Sequence, residues 1–179
     1  MIYLFLAEGF EEIEALAVVD IIRRAEVSIK TVGVGSDEIT GSHGITVKAD
    51  MQIKDITTDD MEMIILPGGM PGTLNLEHDI IVKTCIRYCI DNDKYICAIC
   101  AAPSILGHLG LLNGKKAVCF PGFEQELIGA INPDERVCVD GKIITARAAG
   151  VTCEFAIKIV ENFVSVDEAK KIKASMQIL

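Results

Sequence analysis

Apolar and polar positions repeat with two different periods along the chain, and the switches between them predict the elements. MIYLFLA (1–7) is an unbroken apolar run, as expected of a strand buried on both faces. Glu11 to Ala25 has helical spacing and no Gly or Pro. VSIKTVGVG (27–35) alternates like a strand, and residues 37–50 read as a turn followed by an edge strand. MEMIILPGG (61–69) is a strand that ends in a glycine turn. Residues 75–91 are helical, KYICAI (94–99) is a strand, and Pro103 to Leu109 forms a short helix ending near Gly110. KKAVCF (115–120) predicts another strand and residues 123–131 a short helix. RVCVDGKIITAR (136–147) predicts a hairpin turning at Asp140-Gly141. Helices over Thr152 to Phe163 and Val166 to Met176 complete the pattern.

Alternating strands and helices imply a single α/β domain over residues 1–179 with a largely parallel central sheet. Such sheets place their sites at the carboxyl ends of strands, near a topological switch point. Three predicted strand ends carry unusual residues: Glu8-Gly9, Pro67-Gly68-Gly69 and Cys100-Ala101-Ala102.

Composition narrows the function classes. Half of the 179 residues are hydrophobic, yet no apolar run approaches the roughly 20 residues of a membrane span. A formal net charge of -9 argues against nucleic-acid binding as the main role. The apolar N-terminus lacks preceding basic residues and reads as a buried strand rather than a secretion signal. With seven cysteines, an odd number set mostly in apolar runs, the expectation is free thiols in a reducing cytoplasm.

Cys100 stands where a strand pattern breaks into small residues before Pro103 opens a helix. A sharp turn there exposes a side chain above the sheet, as in a nucleophile elbow. The N–H groups and dipole of the following helix favour thiolate, so the Cys100 thiol is expected below its ordinary pKa. The plain alternative is a buried strand-end cysteine that fills space. Cys97 and Cys100 form a C-x-x-C pair, but Cys97 lies inside the strand pattern. At about 3.3 Å per residue the two sulfurs stand too far apart for an undistorted disulfide. His43, His78 and His108 share no ligand spacing, so no metal site is expected. His108 reads as solvated or capping.

The first helix begins with Glu11, Glu12 and Glu14. Glu14 aligns with Phe10, Ala17, Val18, Ile21 and Ala25, an apolar stripe, whereas Glu12 aligns with Leu16, Asp20 and Arg23, a mixed face. Glu14 is therefore the acid expected inside, with its pKa raised by burial, where it can hold a proton beside a thiolate. The alternative is a helix-start charge that reaches water. Gly68-Gly69 permits close backbone approach, and its N–H groups could join that of Ala101 to hold an oxyanion.

Taken together, AEGFEEIEALAVVDIIRRA, TGSHGITVKAD, IILPGGMPG, AICAAPSILGHLGLLNGKKA, DGKIITARAAG and CEFAIKIVE resemble the DJ-1/ThiJ/PfpI superfamily, in its DJ-1-like branch, over nearly the whole chain. The resemblance implies a flavodoxin-like three-layer sandwich and a homodimer. It places the reactive cysteine at Cys100, its glutamate partner at Glu14 and oxyanion donors at Gly69 and Ala101. It implies a cofactor-free activity on small aldehydes such as methylglyoxal, of glyoxalase or deglycase type. A second implied role is a redox sensor or stress chaperone switched by oxidation of Cys100, and a weaker one is a peptidase or amidase. Three positions depart from relatives. Ala101 stands where some have a histidine, which weakens the hydrolase reading. Phe120 replaces a histidine before proline, leaving proton transfer to Glu14. His43 replaces an arginine, so an anion-binding cluster would rest on Arg24, Arg147 and His43.

Overall fold

Ile2–Leu6, five consecutive buried residues, form strand β1 near the middle of a seven-stranded sheet in the computed structural model, which describes residues 1–178. The chain continues through α1 (Glu12–Arg24), β2 (Ile29–Gly33), β3 (Glu38–Thr40), β4 (Thr46–Lys48), β5 (Met51–Gln52) and β6 (Met63–Leu66). It then forms α2 (Gly72–His78), α3 (Ile80–Asp91), β7 (Tyr95–Ile99) and α4 (Pro103–His108). β8 (Val137–Asp140), β9 (Ile143–Ala146), α5 (Thr152–Phe163) and α6 (Val166–Ser175) close the order.

The sheet order is β5-β2-β1-β6-β7-β9-β8. Every neighbouring pair is parallel except β8 with β9, which form the hairpin at Asp140-Gly141. Side chains alternate between two cores. Ile2, Leu4, Leu6, Met63, Ile65, Cys97 and Ile99 pack on one face with residues of α1, α5 and α6. Tyr3, Phe5, Ile64, Leu66, Ile96 and Ala98 pack on the other with residues of α2, α3 and α4. Burial on both faces explains why the inner strands are apolar at nearly every position. This is the largely parallel α/β sheet that the sequence pattern implies and the flavodoxin-like fold that the resemblance implies. No helix among the described residues is long and apolar enough to cross a membrane.

Four expectations change. Residues 115–120 form no strand; Lys116 makes a single bridge to Ile131, while Ala117, Val118 and Cys119 are buried. The outer edge of β9 is already paired with β8, so this apolar segment is held instead by isolated bonds such as Val118 N–H to Thr145 Oγ1 at 2.9 Å. The helix over 123–131 reduces to one 3-10 turn, Glu124–Glu126, before Gly129 turns the chain at φ 78°. The helix over 75–91 is two helices, because the Asp79 carboxylate accepts from the N–H groups of Ile81 and Val82 and starts α3 anew. Residues 37–50 contain a separate antiparallel hairpin, β3 with β4, and the sheet edge beside β2 is the two-residue β5. Pairing β3 with β4 satisfies backbone groups that the sequence alone assigns to a sheet edge.

The chain leaves β1 for β2 on one side and returns to β6 on the other. The carboxyl ends of β1, β6 and β7 therefore open onto one switch point, and all three unusual strand ends meet there.

Candidate active site

Cys100 follows β7 with φ 64°, in the left-handed region that favours glycine. The turn is held from both sides. The Cys100 N–H donates to Ala146 O at 2.9 Å, and the Phe120 N–H donates to Cys100 O at 2.8 Å. Pro103 then opens α4, where its missing N–H costs nothing. The thiol is thus lifted off the strand and is only partly buried, whereas Cys97 is fully buried within β7.

Glu14 approaches from α1. Glu11 caps this helix by accepting from the Glu14 N–H at 2.7 Å, and the apolar stripe turns Glu14 inward to 1% exposure. Its Oε2 accepts from the Gly68 N–H at 2.8 Å, while Oε1 is buried with no well-formed hydrogen bond among the described residues. Burial raises the Glu14 carboxyl to about 7, against the lowering effect of the Cys100 thiol and the Gly68 N–H.

The Cys100 thiol is not depressed. Burial and the facing Glu14 carboxylate push it up to about 12, and the N–H groups of Ala101 and Gly69 offset this only in part. The expected helix effect is small because α4 has only six residues and the dominant neighbour is an acid. The two groups titrate as a pair. An ionised Glu14 holds the proton on sulfur, and a protonated Glu14 removes that repulsion.

The structure brings Cys100, Glu14, Gly68, Gly69 and Ala101 together. Gly68 differs in use from Gly69 and Ala101, because its N–H is taken by Glu14. It also has no room for a side chain: a Cβ there would lie 2.6 Å from Cys100 Cβ and 2.7 Å from Glu14 Oε2. Arg147 follows β9 beside the elbow and pairs with Asp134 at 2.7 Å. Arg24 does not join the site. It lies ten residues, about 15 Å, along α1 from Glu14, and pairs with Asp20 at 2.7 Å.

His43 is exposed on the turn of the β3–β4 hairpin and pairs with Glu12 at 2.9 Å. Glu12 is the residue that sequence reasoning missed. Its helical face is mixed, yet it is buried beneath that turn. It accepts from the N–H groups of His43 at 2.7 Å and Ile45 at 3.3 Å, and from Ser42 Oγ at 3.4 Å. Burial opposes its charge, yet these bonds and the His43 ring bring its carboxyl down to about 2. Polar turn residues thirty positions away supply the signal, and only the folded pairing joins them. Glu11, Glu12 and His43 each place a ligand-type atom within 4.8 Å of the others, but a cation there would compete with donors that Glu12 already holds. His108 is neither solvated alone nor a cap: it bridges Glu77 at 2.5 Å and Glu126 at 2.8 Å.

The chain as a whole is similar to known proteins. The chain is 33% identical over 174 residues to Protein DJ-1 homolog B of Arabidopsis thaliana, covering 96% of this chain and 40% of that protein. It thus spans about two fifths of that relative's length. It is 27% identical over 157 residues to the glutathione-independent glyoxalase DJR-1.2 of Caenorhabditis elegans, covering 87% of this chain and 83% of that one. The solved structure of oxidized Toxoplasma gondii DJ-1 superposes with a TM-score of 0.95 at 32% identity, over 98% of this chain and 97% of that one. The DJ-1/PfpI family model matches residues 1–162, and with the elbow geometry and these relatives it establishes that the chain belongs to the DJ-1/PfpI family, in its DJ-1-like branch.

Proposed function

We propose that the chain is a cofactor-independent glyoxalase acting on small α-oxoaldehydes such as methylglyoxal, with Cys100 as nucleophile and Glu14 as proton carrier. The observation that carries this reading is the pair itself: a buried carboxyl titrating near 7, with one unsatisfied oxygen, set against a partly accessible thiol. A group near neutrality can both take and return a proton at working pH. The similarity to a C. elegans glyoxalase supports the same chemistry.

In this scheme the Cys100 sulfur bonds to the aldehyde carbon as its proton passes to Glu14. The new oxyanion is held by the N–H groups of Gly69 and Ala101 and takes the proton back from Glu14. Glu14 then removes the hydrogen of the former aldehyde carbon as a proton. The electron pair left behind forms an enediolate, the proton is delivered to the neighbouring carbon, and the hydroxyl proton of the former aldehyde carbon passes to the former ketone oxygen. The former aldehyde carbon is now a thioester and the former ketone an alcohol, so oxidation and reduction balance within the substrate. Water cleaves the carbon–sulfur bond, giving a 2-hydroxy acid and free Cys100. Deglycase-type action on early glycation adducts would use the same nucleophile. The test is steady-state methylglyoxal consumption with lactate detection in wild type and Cys100→Ser. Lactate formation by wild type alone is the expected result, and equal consumption by both would sink the proposal.

A second reading is redox sensing, favoured by the Gly69 and Ala101 N–H groups that act on the Cys100 sulfur. Peroxide oxidation to a sulfinate would place negative charge where these donors point. The Toxoplasma relative was solved in an oxidized form. A peptidase or amidase role gains no support, since Ala101 supplies no base beside the nucleophile.

A homodimer with a cytoplasmic location completes the proposal. Ile13 on α1 and Ile45 on the hairpin are 57% and 53% exposed, and Glu12 ties their segments together. Two such apolar patches related by a two-fold axis would cover one another.

A further inference from the structure

We infer that the mouth of this site is built for α-oxoaldehydes bearing an apolar, preferably aromatic, substituent, with Phe120 as the residue that sets the preference. The inference rests on the glyoxalase reading and names its substrate class. Large apolar side chains are ordinarily withdrawn from water, and an exposed one beside a nucleophile is a candidate contact surface. Phe120 and Met70 are each 43% exposed. Both begin within one residue of the backbone that encloses the thiol. The Phe120 N–H bonds directly to Cys100 O at 2.8 Å, and Met70 follows Gly69, whose N–H acts on the sulfur.

The Phe120 ring is not loose. It stands edge-on to Phe123, with centroids 6.4 Å apart and planes at 82°. The Phe120 N–H bond to the elbow fixes its backbone at the other end. A ring held at one edge by Phe123, tied through its backbone to the elbow and still exposed can take up a substrate substituent at little cost in ordering. The same position carries no titratable group, so it can contribute binding but no proton transfer. That division suits a substrate R–CO–CHO whose dicarbonyl end reaches Cys100 and Glu14 while R rests on Phe120. A methyl group would use little of this surface and a phenyl ring much more. One well-placed aromatic contact corresponds to about tenfold in specificity.

The experiment compares kcat/KM for phenylglyoxal and methylglyoxal in wild type, Phe120→Ala and Phe120→Leu, with mandelate and lactate as the detected products. Wild type should favour phenylglyoxal by about tenfold. Phe120→Ala should erase most of that ratio, chiefly through KM for phenylglyoxal, and Phe120→Leu should restore part of it. A ratio unchanged in Phe120→Ala, or an equal fall for both substrates, overturns the inference, because Phe120 would then only support the elbow. In parallel, alkylation of Cys100 by 2-bromoacetophenone and by iodoacetamide is followed by mass spectrometry in wild type and Phe120→Ala. Loss of an aryl preference in Phe120→Ala supports the apolar mouth even if neither aldehyde is turned over, in which case only the glyoxalase reading fails. Absence of any aryl preference in both assays overturns the inference outright.

Discussion

The Gly68 N–H donates to Glu14 Oε2 at 2.8 Å, and so one peptide group aims the acid of α1 at the elbow of β7. Gly68→Ala would add a methyl group within 2.7 Å of both Glu14 Oε2 and Cys100 Cβ. Space, rather than backbone conformation, forbids it. We expect Gly68→Ala to lose most methylglyoxal turnover and to destabilise the fold by about 2 kcal/mol, as overpacking does. Thermal unfolding and steady-state rates measure the two effects separately.

Glu14 gives stability a pH dependence of unusual sign. Its folded-state pKa of about 7 lies above the ordinary carboxyl value of 4.5, so the folded state binds the proton more tightly. The contribution is fully present below about pH 4.5 and is lost as pH rises through 7. Its size is about 3 kcal/mol. Urea unfolding of wild type should therefore weaken over that window, and Glu14→Gln should remove this component of the slope.

Turnover should depend on the pair and not on the neighbouring cysteine. Cys100→Ser and Glu14→Gln are each expected to remove nearly all methylglyoxal conversion, while Cys97→Ser, altering a fully buried strand residue, retains it in the folded enzyme. A folded Cys97→Ser enzyme without activity would return the C-x-x-C pair to consideration. Because the Glu14 carboxylate raises the thiol pKa above pH 7, Glu14→Gln should also shift the alkylation midpoint of Cys100 to lower pH.

Glu12 behaves oppositely to Glu14. Its carboxyl is lowered to about 2, so its hold on the hairpin turn is complete above about pH 4.5 and fades as pH falls through 2. Glu12→Ala would leave the His43 and Ile45 N–H groups without their acceptor. Hydrogen exchange at these two amides should accelerate by tenfold or more, about 1.4 kcal/mol of lost protection.

Peroxide should oxidise Cys100 before the buried Cys85, Cys89, Cys97, Cys119 and Cys138, whose access is closed. Cys153 is the informative competitor because it is exposed but lacks the elbow donors. Site-resolved mass spectrometry across a peroxide titration decides the order. Prior oxidation of Cys153 would show that access alone governs reactivity and would remove the basis for sensing at Cys100.

The elbow and its acid were legible because both are local signals. A strand that breaks into small residues before Pro103 fixes Cys100, and a helical stripe through Phe10, Val18 and Ile21 fixes Glu14. The burial of Glu12 was not legible, since its donors come from residues 42–45 and meet it only after the hairpin folds back. The apolar run 115–120 looked like a strand because burial, not pairing, selects its residues. Competition from β8 for the edge of β9 is a tertiary fact. The depressed thiol expected from the elbow was reversed by the same Glu14 that the stripe revealed, because proximity of two acids outweighs a short helix.

The φ of 64° at Cys100 also leaves a mark on how this position would drift if its chemistry were no longer needed. Elsewhere in a strand or helix, alanine is the better neutral replacement and glycine the worse. Here the order inverts, because only glycine adopts this conformation without steric cost, and Cys100→Gly should be more stable than Cys100→Ala by about 1 kcal/mol. A lineage released from selection on the thiol would find its easiest downhill step at position 100 in glycine. Retention of a side chain there is a fossil record of use, written in the backbone rather than in the sulfur.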